Sequence, residues 1–125
     1  DLQYLKKKVD GGADYIVTQM FFDNNKYYSF VEACRNMGIM VPIIPGLKPI
    51  AVKSQLTVLP KIFHIDLPTD LSKELQKCKT NEEVEVVGQE WMLMQAKDLK
   101  KSGVPVLHFY TLGNPLHVAN VVKQL

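Results

Sequence analysis

Three short hydrophobic runs in this chain end on residues of a different character. Residues 15–18 run into Gln19, then Phe21, Phe22 and Asp23. Residues 40–44 run into Pro45-Gly46-Leu47-Lys48-Pro49, and residues 106–110 run into Thr111-Leu112-Gly113. Segments with helical spacing separate the runs. Strands alternating with helices favour a parallel sheet with right-handed crossovers. In such sheets the chemistry gathers at the carboxyl ends of the strands, where these polar and aromatic residues fall.

The helical segments follow from apolar spacing and stop signals. Leu2, Leu5 and Val9 recur at threes and fours before Gly11-Gly12. The run at 15–18 is continuous, as in a strand covered on both faces. Asn24 and Asn25 can open a helix that buries Tyr27, Phe30, Val31 and Cys34, while Asp23 is suited to cap it. The strand at 40–44 is closed by Pro45-Gly46. Residues 48–61 read as loop then helix running slightly past Lys61, with Leu56, Leu59 and Phe63 inward, although Pro60 would bend or end a helix. A restart at Pro68, capped by Thr69 or Asp70, gives a short helix over 71–77. Asn81 then caps a long helix with Val84, Val87, Trp91 and Met94 on its buried stripe. A last helix near Pro115 turns Val118, Val121, Val122 and Leu125 inward. Three consecutive barrel units fit this order, with two open edges and an uncovered inner face.

Size bounds the architecture. A complete (β/α)8 barrel takes roughly 250 residues, and this chain has 125. Its formal charge of +2 and the lack of a basic stripe interleaved with aromatics give no reason to expect nucleic acid as a partner. Cys34 and Cys78 are far apart, without metal-ligand spacing, and read as reduced cytoplasmic thiols. No apolar run has the length of a membrane span. A chain that opens on Asp1 within an element reads as a fragment, residues 1–125 forming one piece of a single domain whose amino-terminal half is absent.

Gln19 shares a strand face with Val17, and an inward amide there could both donate and accept to a lactam-like edge. Bonding to backbone or water is the plain alternative. Tyr110 could stack on a planar ligand or simply fill the core. His108 reads as a packed structural histidine, and one of Phe21 and Phe22 as core. Glu90 and Asp98 read as solvated helix carboxylates. The sequence has no phosphate-binding GxGxxG or GxxxxGK[ST], no HExxH and no GxSxG.

DLQYLKKKVDGGAD at 1–14, VTQMFFD at 17–23, GIMVPIIPGLKPI at 38–50 and HFYTLG at 108–113 together resemble 5,10-methylenetetrahydrofolate reductase, in family order and across nearly the whole chain. The resemblance implies an α/β fold, the carboxyl-terminal part of a (β/α)8 TIM barrel. It also implies a flavoprotein reaction, in which NAD(P)H reduces FAD and 5,10-methylenetetrahydrofolate then becomes 5-methyltetrahydrofolate. It places Gln19, Leu59, Tyr110 and Leu112 at the substrate and Asp1, Tyr4, Lys7 and Lys8 at FAD, with Ala13 supporting the flavin site by packing. Asn114 stands where some members have a substrate-contacting arginine. The family's catalytic acids fall upstream of Asp1, so the fragment alone is expected to be inactive. The partners implied are folate, reduced nicotinamide, the missing half of the barrel and a possible second copy, with neither membrane nor nucleic acid. Without the resemblance, three readings stay open: another TIM-barrel fragment that binds a phosphorylated small molecule, a non-catalytic α/β scaffold, and a small flavodoxin-like domain.

Overall fold

The computed structural model describes residues 1–111 and 115–125. In chain order its elements are α1 (Leu2–Asp10), β1 (Ile16–Met20), α2 (Asn24–Asn36), β2 (Ile43–Leu47), α3 (Gln55–Ile62), α4 (Thr69–Lys77), α5 (Asn81–Lys101), β3 (His108–Phe109) and α6 (Leu116–Val122). The three strands are parallel and ordered β1-β2-β3. The sheet therefore advances sideways without reversing, as in a barrel wall and as within one half of a doubly wound sheet.

Local chemistry sets the helix starts. The Asp1 carboxylate accepts the Gln3 N–H at 2.9 Å, and Asp23 accepts that of Asn25 at 3.0 Å. The Thr80 hydroxyl accepts from Glu83 at 3.2 Å to open α5, whose first turn is acidic and last turn basic. Asp23 thus caps α2 as expected and Asn24 opens it, whereas Asn81 is not a cap. Asp23 and Thr80 have extended backbone that turns their oxygens onto the first free N–H groups. Asn24 is left to bond the Gln95 carbonyl of α5, and Asn81 accepts from the Lys53 N–H. Thr69 and Asp70 do not cap α4 either, since Pro68 holds that position without a side-chain bond.

The helices cover one face of the sheet. Ile43 and Leu47 pack there with Tyr27 and Cys34 of α2, Met92, Ala96 and Leu99 of α5, and Val121 of α6. A second cluster joins Phe22, Ile50, Leu59 and Ile65 to Leu71 and Leu75 of α4 and Val84 of α5. The other face is open: Val17 is 38 % exposed, Val106 is 52 % exposed, and His108 is exposed. The run at 15–18 is accordingly covered on one side rather than two. His108 is not a packed core histidine, because it is exposed on that face.

Several inward assignments shift with the actual helix faces. On α5, Val84 is buried and Val87 and Trp91 pack against the second cluster as expected, whereas Met94 is exposed and Gly88, Met92, Gln95, Ala96 and Leu99 are also buried. Phe63 and Val122 are exposed as well, since both lie at or past a helix end where the periodic face has rotated away. Pro60 sits inside α3. Strand β2 begins and ends three residues later than expected and contains Pro45 and Gly46. A β-bulge explains this. The register Val17↔Ile44 becomes Met20↔Gly46, and the Thr18 hydroxyl accepts the Gly46 N–H at 2.9 Å. A proline, lacking a ladder donor, is tolerated at such an irregularity.

Two contacts tie α5 to its neighbours. A Cβ on Gly88 would lie 2.0 Å from the Ile50 carbonyl oxygen, so α5 meets the segment after β2 through bare backbone. Gly88→Ala is expected to destabilise the fold by about 3 kcal/mol, the upper range for overpacking, read as a lowered melting temperature. At the other contact Asp98 is not merely solvated: it accepts from Asn24 Nδ2 at 2.9 Å and from Tyr28 Oη at 2.7 Å. The hydrogen bond from Asn24, then that from Tyr28, holds the Asp98 carboxyl below its ordinary range. A depressed carboxylate contributes stability above its unfolded pKa, and that contribution is lost as pH falls through the folded value. Asp98→Asn should therefore flatten the acid limb of a stability–pH curve below about pH 4 and lower stability at neutral pH.

Candidate functional site

The carboxyl ends of β1 and β2 and the residues after β3 meet on one rim. Strand alternation puts Gly46 on the open face, and the β2–β3 register sets it opposite His108. The Tyr110 N–H extends that ladder to the Leu47 carbonyl at 2.8 Å. Its ring crosses Gly46, and its hydroxyl donates to the Thr18 carbonyl at 2.8 Å, beside Gln19. The His108 ring meets Tyr110 edge-on at 4.6 Å. The crossing requires glycine, because a Cβ at position 46 would stand 2.6 Å from both the Thr18 carbonyl oxygen and the Tyr110 ring.

Gln19 lies on β1, exposed, with its Nε2 donating to the Phe63 carbonyl at 3.3 Å. This long bond is its link to the segment returning from α3. His64 follows with φ of 54°, the one non-glycine residue in the left-handed region among those described. A cavity of about 250 Å³ opens here, and its lining includes Gln19, Asp23, Lys26, His64 and Asp66. His64 and Asp66 thus come together with Gln19, which their sequence positions did not indicate. Lys26 and Asp66 are 3.7 Å apart and both well exposed, a weak pair.

Leu59 is 3 % exposed and packs in the cluster with Phe22 and Ile50. Its side chain is directed into the core of α3 and α4. Leu112 and Asn114 lie outside the described residues. Asp1, Tyr4, Lys7 and Lys8 share the exposed side of α1, opposite Leu2, Leu5 and Val9, which pack toward the core. Lys8 Nζ rests 4.8 Å above the Tyr4 ring. Among the described residues Lys7 and Lys8 have no acidic partner, whereas Lys6 pairs with Asp10 at 2.9 Å. Two unpaired ammonium groups beside a phenol suit the phosphate oxygens and polar chain of a dinucleotide. Leu5 of α1 joins Val17, Gln19 and Phe30 around a groove of about 370 Å³ at the open edge of β1. Ala13, expected to pack, is exposed.

Comparison with known proteins gives this geometry a family. The family model described as methylenetetrahydrofolate reductase matches residues 1–125. The chain belongs to the methylenetetrahydrofolate reductase family. It is 40 % identical over 126 residues to methylenetetrahydrofolate reductase (NADH) 1 of Arabidopsis thaliana, covering all of this chain and 21 % of that protein. It is 32 % identical over 127 residues to a probable methylenetetrahydrofolate reductase (NADPH) of Caenorhabditis elegans, again covering all of this chain and 19 % of the relative. With the 5,10-methylenetetrahydrofolate reductase of Salmonella typhimurium it shares 35 % identity over 113 residues, 90 % of this chain and 38 % of the bacterial protein. The chain spans about a fifth of the plant and nematode relatives. The family's barrel is matched in part, by three parallel strands and their helices. Among the described residues no helix is long and apolar enough to cross a membrane, and no group of His, Cys, Asp or Glu could hold a metal ion.

Tyr110→Phe removes one hydrogen bond and should cost about 1 kcal/mol. Gly46→Ala confronts a backbone oxygen as well as the ring, and should cost at least twice that in thermal unfolding.

Proposed function

We propose that this chain forms part of the catalytic barrel of a methylenetetrahydrofolate reductase. In this reading the whole protein reduces 5,10-methylenetetrahydrofolate to 5-methyltetrahydrofolate with NADH or NADPH through FAD. The observation that carries it is the family match along the full chain. The rim geometry agrees with a site for flat heterocycles. FAD, when bound, supplies the hydride relay between nicotinamide and folate.

This chain's residues bind and orient in that scheme. The neutral amide of Gln19 meets the lactam edge of the pterin, exchanging its 3.3 Å bond to Phe63 for bonds to the ligand. Tyr110, fixed by its bond to Thr18, gives a rigid aromatic wall. Leu59 bears on the substrate through the packing that positions α3, and Leu112 completes the substrate side. Lys7 and Lys8 neutralise the pyrophosphate, with Tyr4 and Asp1 bonding the polar chain of FAD. The free edges of β1 and β3 take the remaining strands of the barrel, which enclose the open sheet face.

In the full-length parent protein, Gln19→Ala should lower kcat/KM for the folate at least tenfold, about 1.4 kcal/mol, while bound flavin is retained. An unchanged value would remove Gln19 from the substrate site. A parent protein that purifies without flavin and does not oxidise NAD(P)H would defeat the assignment. Residues 1–125 expressed alone should retain no stoichiometric flavin and show no NAD(P)H oxidation, because half the pocket's preorganised groups are missing.

A further inference from the structure

Lys48 has no part in the contacts described so far. It directly follows β2, is 7 % exposed, and its Nζ donates to the carbonyl of its own neighbour Pro49 at 3.3 Å. Among the described residues the ion pairs join Lys6 to Asp10, Lys26 to Asp66, Lys77 to Glu74 and His117 to Glu85, and none includes Lys48. An ammonium taken out of water without a counter-charge costs several kcal/mol. Burial accordingly pulls the Lys48 amine below the ordinary lysine range.

Its place in the fold identifies the missing partner. Alternation sets Lys48 opposite Leu47, which is fully buried under the helices, and on the side of Gly46. One further step of the register Gly46↔His108 and Leu47↔Phe109 brings Lys48 level with Tyr110. The Lys48 backbone, its ammonium held against the Pro49 carbonyl, thus stands at the level of the rim that carries Gln19 and Tyr110. Neither of those supplies charge: the amide is neutral, and the hydroxyl is engaged by Thr18. Lys26, near Gln19, is solvated and faces Asp66. A methionine would fill the same space without the desolvation cost. An anion or a carbonyl oxygen arriving at this rim would gain a charge-assisted hydrogen bond in a water-poor setting.

We propose that Lys48 is the cationic contact for the carbonyl-bearing edge of a planar heterocycle, held on this rim against Gln19 and Tyr110. The inference rests on the reductase reading for the two rings that could present that edge, the isoalloxazine of the flavin, which becomes anionic on reduction, and the neutral pterin of the folate.

The test uses Lys48→Met and Lys48→Gln in the full-length parent protein. Three quantities are measured: melting temperature, the two-electron midpoint potential of the bound flavin, and the dissociation constant of 5-methyltetrahydrofolate. Both variants should melt at or above the wild-type temperature and keep oxidised flavin. A tenfold loss of preference for the reduced flavin, a midpoint about 30 mV lower, assigns the contact to the flavin. A tenfold weaker folate complex with the potential unchanged assigns it to the pterin. Potential and folate affinity both within twofold of wild type would overturn the proposal. So would failure of both variants to fold, which would make the ammonium a structural element. A parent protein without flavin would overturn the reductase reading instead, and the folate titration alone would then decide Lys48.

Discussion

The hydroxyl of Tyr110 reaches across β2 to the Thr18 carbonyl, and it does so because position 46 carries no side chain. This crossing links all three strands at their carboxyl ends. Strand β3 is two residues long and would otherwise be held by a short ladder to β2. The β-bulge between β1 and β2 lies at the same level, where the Thr18 hydroxyl takes the Gly46 N–H. Thr18 therefore uses its hydroxyl toward β2 and its carbonyl toward the residue after β3. The next residue, Gln19, inherits a fixed backbone from that arrangement, as a binding residue requires if its amide is to be preorganised.

Charge is distributed unevenly around this rim. The lysines of α1 lie in water on a helix face, where they can meet a phosphate at little desolvation cost. Gln19 offers directed hydrogen bonds without charge. Lys48 is the exception, a cation kept from water beside a strand tip, with its nearest acceptor a neighbouring peptide carbonyl. Polar groups on α2 and α5 are handled differently: Asn24, Tyr28, Asp98 and Ser102 satisfy one another across the helix interface. Such networks hold elements together, although the buried Oε1 of Gln95 beside Asn24 has no partner among the described residues.

Much of the fold was legible because local signals agreed with one another. Among the described residues, apolar spacing located the six helices and the hydrophobic runs located the three strands in parallel order. Misjudged features had competing local meanings. Pro45-Gly46 is ordinarily a turn signal, and its place within β2 depends on a bulge made by Thr18, more than twenty residues earlier. Asn81 is a good cap by composition, but Thr80 precedes it with the required extended backbone. The α5 stripe was read too narrowly because Gly88 and Gln95 are buried as well, and neither contributes to an apolar pattern.

By itself the sequence determined the order of elements and the family, since hydrophobic period and local motifs are properties of neighbouring residues. It also singled out Gln19 and Tyr110, which stand at the ends of apolar runs. Only the tertiary structure decided which sheet face is open, what each polar side chain bonds, and that Lys48 is buried without a counter-charge among the described residues. Those outcomes depend on contacts between residues distant in the chain, and burial is a property of the packed assembly rather than of any residue type.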